Sequence, residues 1–242
     1  MIYKEKFKIG LKDIGIDNGL KNNSILEYLE NIASYHSDSL GYGINTIEGM
    51  KTAWIVLGWK IKVIKRPKYG QSLNIHTWSR EMIKLYAYHD FEIYDENDEL
   101  CVVATSKWIL IDIEKGRFVK ATQEMLDKYE SEPEKLVFEK RELKKIEVPS
   151  EYSNVTSYIA QRRDIDVIGH MHNLYYLDLA YEALPKEVYS DQRPFENIEI
   201  MYKKEVKLDE EVICKYTKSD NKHIIVIESK DKKTLHTIIE LW

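Results

Sequence analysis

The chain has 242 residues, 43% hydrophobic and 32% charged with only 10 Gly and 5 Pro, which excludes a disordered chain and suits two small domains or one large β-rich domain. A net charge of −5 excludes general nucleic-acid binding through a basic surface. No apolar run approaches the roughly 20 residues that span a bilayer, and the opening MIYKEKFKIG lacks a signal-peptide core, so a cytoplasmic location is expected.

In chain order, the first helix is expected from a capping box at Ser24 and Glu27. It places Ile25, Leu29, Ile32, Ala33 and His36 on one face and ends near Leu40, Gly41 and Gly43. Strand-like runs follow: TAWIVLGWKIKVIK, SLNIHTW, KLYAYHDFEIYD and LCVVATSKWILID, rich in Val, Ile, Tyr and Trp. Pro67 to Gly70 and a tight hairpin over residues 96–99 separate them. A short helical stretch around Met125, Leu126 and Tyr129 precedes the charged segment EKRELKKIEV.

The pattern then repeats. A second helix with Asn173 as its N-cap puts Leu174, Leu177, Tyr181 and Leu184 at helical spacing until Pro185 stops it. After it come ENIEIMYKKEV, EEVICKYTK, HIIVIESK and TLHTIIELW. One strand, one helix and four antiparallel strands, occurring twice, imply an α+β chain in which each half wraps an antiparallel sheet around a central helix. The expected division is 1–130, a linker over 131–150, and 151–242. Cys101 and Cys214 lie inside apolar runs and read as buried small hydrophobes, with no zinc or redox signature.

The densest cluster of reactive side chains is DIDVIGHMHN, at the junction of a strand and the second helix. If extended, it sends Asp164, Asp166, Ile168, His170 and His172 to one side until Gly169 bends the chain. The helix that follows offers unsatisfied N–H groups and a positive dipole end, suited to an oxygen that becomes negative during attack. A capped, solvated loop accounts for the same residues, and His170, His172 and the aspartates are also plausible metal ligands.

DIDVIGHMHNLYYLDLAYEALP resembles the D-L-D-V-N-x-H-V-N-N-x-x-Y segment, continuing to E-x-x-P, of the plant and bacterial acyl-ACP thioesterases. HSDSLGYG, RPKYGQSLNIHTW and ATSKWILID resemble further family motifs in the same order, so the likeness runs from about residue 20 to 210. It implies a tandem hotdog fold whose first half shapes the acyl pocket and whose second half carries the chemistry. By motif, the family's catalytic aspartate falls on Asp166, its histidine on His170, and the glutamate of its strand motif on Glu205 in EIMYKKEV.

This sequence departs from the family at Ile168, where an asparagine is expected, and at Val206, where many plant members have cysteine. His172 stands where the family has the first of two asparagines, and His172 and Asn173 are assigned to substrate binding. No cofactor and no metal are called for. The resemblance implies hydrolysis of fatty acyl-acyl carrier protein, with either a water activated by Glu205 and His170 or a carboxylate as nucleophile. An acyl-CoA thioesterase and a non-catalytic acyl-binding protein are the alternatives. The acidic carrier needs a basic patch, for which Lys60, Lys62, Lys65, Arg66 and Lys68 are candidates, although the wet face of a strand explains them equally. Trp54, Trp59 and Trp78 are candidates to line the pocket, with ordinary core tryptophan the favoured reading, and oligomeric state is open, a homodimer included.

Overall fold

Along Tyr3–Lys8 (β1) side chains alternate half-buried and exposed, as a strand with one wet face requires. The computed structural model describes all residues except 47, 48, 50, 140–142 and 193, and the chain divides into two compact units, Met1–Leu143 and Lys144–Trp242.

In the first unit β1 is followed by α1 (Asn22–Ser39), β2 (Thr52–Val63), β3 (Ser72–Ile83), β4 (Tyr86–Tyr94), β5 (Leu100–Asp112), β6 (Arg117–Val119) and α2 (Gln123–Tyr129). The sheet runs β1-β3-β4-β5-β2, antiparallel throughout, and β6 pairs with the end of β5. The hairpin between β4 and β5 is the expected one. Asp95 Oδ1 accepts the N–H groups of Asn97 and Glu99 at 2.9 and 3.0 Å, and Asp98 takes the left-handed conformation at φ 61°.

Helix α1 buries Ile25, Leu29, Ile32, Ala33 and His36 as its periodicity predicts. Its start differs from expectation, because Ser24 is a buried residue of the first turn and the cap position is held by Lys21 without a side-chain bond. The reason lies upstream: a turn closed by an Ile14–Leu20 bridge, with Lys21 N–H on the Asp13 carbonyl, delivers the chain into the helix three residues early. Gly41, at φ 82°, ends it as expected.

In the second unit β7 (Asn154–Ile159), α3 (Asn173–Glu182), α4 (Lys186–Gln192), β8 (Asn197–Tyr202), β9 (Glu211–Ser219), β10 (Lys222–Ser229) and β11 (Leu235–Leu241) follow in order. Its sheet runs β7-β9-β10-β11-β8, the same order as β1-β3-β4-β5-β2, so the repeat read from the sequence is a repeat of topology. The face of α3 differs from expectation: Tyr176, Leu177 and Ala180 are buried whereas Leu174 and Tyr181 are only partly so. Strand β8 stops at Tyr202, short of the apolar run, because Lys203 and Lys204 both send their N–H groups to the His236 carbonyl and the chain turns out of the sheet.

Of the segment EKRELKKIEV, residues 140–142 lie outside the described residues. Further along it Ile146 is buried against Ile224, Val226 and Ile238, each such side chain contributing about 1.5–3 kcal/mol through burial. Cys101 and Cys214 are buried and free, and burial pushes the Cys214 thiol up to about 12. Among the described residues no helix is long and apolar enough to cross a membrane.

Candidate active site

The segment DIDVIGHMHN is a tight turn rather than the extended run expected. A 3-10 turn, Arg162–Asp164, leads into it, and its core is closed by an Ile165–Met171 bridge with Gly169 at φ 85°. Asp164 is an anchor inside the unit, its Oδ2 accepting the Gln161 N–H at 2.8 Å and the Tyr158 hydroxyl at 2.6 Å. Asp166 is half-buried, and its Oδ1 accepts the N–H groups of Ile168 and His170 at 2.9 and 3.1 Å. Ile168 is exposed.

Beyond the turn, His170 bridges to Lys207, and Met171 N–H donates to the Val206 carbonyl at 2.8 Å. Glu205 therefore sits in the loop after β8 rather than on a strand, on the stretch paired with residues 170 and 171, and it is exposed. That loop is held from both sides. Val206 N–H donates to the buried Tyr176 hydroxyl at 3.1 Å, and His236 Nδ1 donates to the Lys204 carbonyl at 3.0 Å. Burial raises the Tyr176 phenol, and the Glu205, Glu210 and Asp166 carboxylates raise it further, so Tyr176 lies within the field of both candidate acids.

His172 is the N-cap of α3, the place expected for Asn173. Its Nδ1 accepts the Leu174 N–H at 3.3 Å, which puts the ring proton on Nε2. Asn173 opens the helix, and its carbonyl accepts the Tyr202 hydroxyl at 3.2 Å. The Tyr175 N–H donates to the His172 carbonyl, so the cap residue accepts two of the first-turn amides.

The first unit repeats the backbone bonds of this frame, with an anchoring aspartate that takes its tyrosine from a different element. Asp13 Oδ2 accepts Gly10 N–H and the Tyr28 hydroxyl, both at 2.8 Å. Gly15 N–H donates to Gly19, as Asp166 does to His170, and Leu20 N–H donates to Pro67, as Met171 does to Val206. On this register Gly19 stands for His170, Lys21 for His172, Asn22 for Asn173 and Arg66 for Glu205. Arg66 lays its stem over Gly19, so that a Cβ there would meet Arg66 Cδ at 2.9 Å, and its guanidinium reaches Asn22 Oδ1 at 2.9 Å. The acid and imidazole belong to the second unit alone in this pairing.

The first unit holds a cavity of about 120 Å³ between α1, β2, β4, β5 and α2. Trp54 lines it, together with Trp108, Ala33 and Ala87, whereas Trp59 and Trp78 are fully buried core residues. His89 and Tyr129, neither of which the sequence marks as a site residue, line it too. A histidine inside a strand-like run is the signal for His89, and Tyr176 stands at the tyrosine of the N-N-x-x-Y motif.

The basic stretch is partly spent on the protein's own groups. Lys65 pairs with Asp95 and Glu99, Arg66 with Asn22, and Lys60 Nζ lies 4.5 Å from the Phe138 ring centre, while Lys62 and Lys68 are exposed.

Residues 1–129 match a family model described as acyl-ACP thioesterase N-terminal domain, and residues 147–241 match its C-terminal domain. The chloroplastic oleoyl-acyl carrier protein thioesterase of Coriandrum sativum is 25% identical over 87% of this chain and 61% of its own length. The chloroplastic oleoyl-acyl carrier protein thioesterase 1 of Arabidopsis thaliana is 26% identical over 87% of this chain and 62% of its own length. The chain thus spans less than two thirds of these curated relatives. Among solved structures, an acyl-ACP thioesterase from Bacteroides thetaiotaomicron superposes with a TM-score of 0.82 at 19% identity, covering 99% of this chain and 96% of that one. A 12:0-ACP thioesterase from Umbellularia californica superposes at 0.85 with 16% identity over 99% and 96%. The fold is the tandem hotdog.

Proposed function

The chain belongs to the acyl-ACP thioesterase family, and from this we propose that it hydrolyses the thioester of a fatty acyl group on acyl carrier protein. The observation that carries the site is the repeated frame. Where the first unit lays Arg66 across Gly19 toward Asn22, the second has Glu205, His170 and Asn173. Neither the Glu205 carboxylate nor the His170 ring has a hydrogen-bond partner of its own among the described residues, which leaves both open to a water and a substrate.

In this mechanism Glu205 and His170 take a proton from water as its oxygen attacks the thioester carbon. Asp166, already fixed by two amides of its own turn, steadies the turn that presents the imidazole. The Asn173 N–H and the dipole of α3 receive the oxyanion. When the C–S bond breaks, the thiolate leaves with little need for an acid and takes up a proton, giving free fatty acid and the carrier thiol. The cavity of the first unit is the proposed acyl pocket, and exposed Lys62 and Lys68 are the proposed contacts for the acidic carrier.

The test is release of free thiol from acyl carrier protein loaded with a fatty chain. His170→Ala and Glu205→Gln should each lower turnover about a hundredfold or more, the scale of a lost acid-base group. Turnover within a fewfold of wild type in either folded variant overturns the assignment, and cleavage confined to acyl-CoA overturns the carrier.

A further inference from the structure

The cavity of the first unit is apolar at Ala33, Ala53, Ala87, Trp54 and Trp108, but polar at His89, Ser37 and Tyr129. A pocket meant for hydrocarbon alone gains nothing from buried polar atoms, since each one left without a partner opposes folding and repels an alkyl chain. Ser37 and Tyr129 satisfy one another, the phenol donating to Ser37 Oγ at 2.9 Å. His89 lacks that relief. It is 5% exposed, and its Nδ1 has no hydrogen-bond partner among the described residues.

What surrounds His89 is aromatic: its ring centre lies 5.5 Å from that of His36, 5.9 Å from Tyr129 and 6.3 Å from Phe91. Burial holds its titration well below the ordinary histidine range, so the ring is neutral, with one N–H and one lone pair. A hydroxyl can pair with an imidazole nitrogen as donor or acceptor, whereas a methylene cannot. The volume, about 120 Å³, is close to that of the roughly 150 Å³ cavity that admits benzene, which is room for the last few carbons of a chain and one oxygen.

We propose that this cavity receives a fatty acyl chain carrying a hydroxyl group, whose oxygen hydrogen-bonds the imidazole of His89. The inference rests on the thioesterase assignment only for what then happens to the chain. Selectivity follows from the asymmetry of buried polar sites: one that must hydrogen-bond a substrate hydroxyl rejects the analogue lacking it more strongly than an apolar slot rejects an added one.

Direct binding separates the two claims. Free fatty acids of one chain length, plain or hydroxylated at successive carbons, are titrated calorimetrically into the wild-type protein. At least one hydroxylated isomer is expected to bind about tenfold tighter than the plain acid, the scale of one buried hydrogen bond, and His89→Phe should erase the difference. Equal or weaker binding of every hydroxylated isomer overturns the proposal from the wild-type data alone, whether or not the variant folds, and so does a preference that survives in folded His89→Phe. The same chains loaded on acyl carrier protein are then assayed. A binding preference without any hydrolysis sinks the thioesterase assignment and leaves the cavity assignment standing.

Discussion

At the scale of single residues, two aspartates of one motif do different work. Asp164 is 1% exposed and ties the strand end to the turn through Gln161 and Tyr158, whereas Asp166 is half-buried and shapes the turn that presents His170. Hydrogen bonds to a charged acceptor are worth about 1.5–3 kcal/mol, so Asp164→Ala should cost about 2–3 kcal/mol of stability, read as a lower urea midpoint. Asp164→Asn keeps one acceptor oxygen and should cost less. A midpoint unchanged in Asp164→Ala would remove Asp164 from its anchoring role. The D-x-D spacing alone carries none of this distinction, since it shows two carboxylates two residues apart and not which one the 3-10 turn draws inside.

At the scale of elements, the N-terminus of α3 joins stability to chemistry. His172 Nδ1 caps the helix by accepting the Leu174 N–H. His172→Ala should therefore lose about 1 kcal/mol, the usual worth of a side-chain cap, and His172→Asn should restore most of it because asparagine is among the best caps. Thermal unfolding of the two variants checks this, and equal melting temperatures would show that the cap contributes nothing. The strands were legible in the sequence because Val, Ile, Tyr and Trp runs broken by Asp, Asn and Gly are a local signal, and β3, β5, β9 and β11 fall where those runs lie. Helix starts were less so. Both α1 and α3 begin where a bridged turn delivers the chain, and each turn is also tied by Leu20 N–H to the Pro67 carbonyl or Met171 N–H to the Val206 carbonyl, partners that no local window contains. Of the proposed site, Asp166, His170 and Glu205 were named by the family resemblance, whereas the loop of Glu205 is held by Tyr176 and His236, from elements distant from it in sequence.

At the scale of the whole molecule, tandem repetition lets the halves diverge, one keeping acid and imidazole beside a helix N-terminus, the other putting Gly19 and Arg66 in those places and keeping a cavity. Two buried histidines of the first unit, of which His89 lines that cavity, should make the protein acid-sensitive. His36 is fully buried with neither ring nitrogen hydrogen-bonded among the described residues, and burial lowers its titration from 6.5 to about 4. His89 beside it is lowered as well, by burial first and by His36 second. Between about pH 6.5 and 4 the unfolded chain binds a proton at residue 36 that the folded chain does not, so stability rises with pH across this window and falls on acidification. For His36 alone the difference between pH 7 and pH 5 is about 2 kcal/mol. Urea midpoints across that range should drop accordingly at the acid end, and His36→Phe, which removes the proton site while keeping a ring against Tyr3 and Tyr129, should flatten the drop by about that amount. A variant as acid-sensitive as wild type would move the effect to other groups.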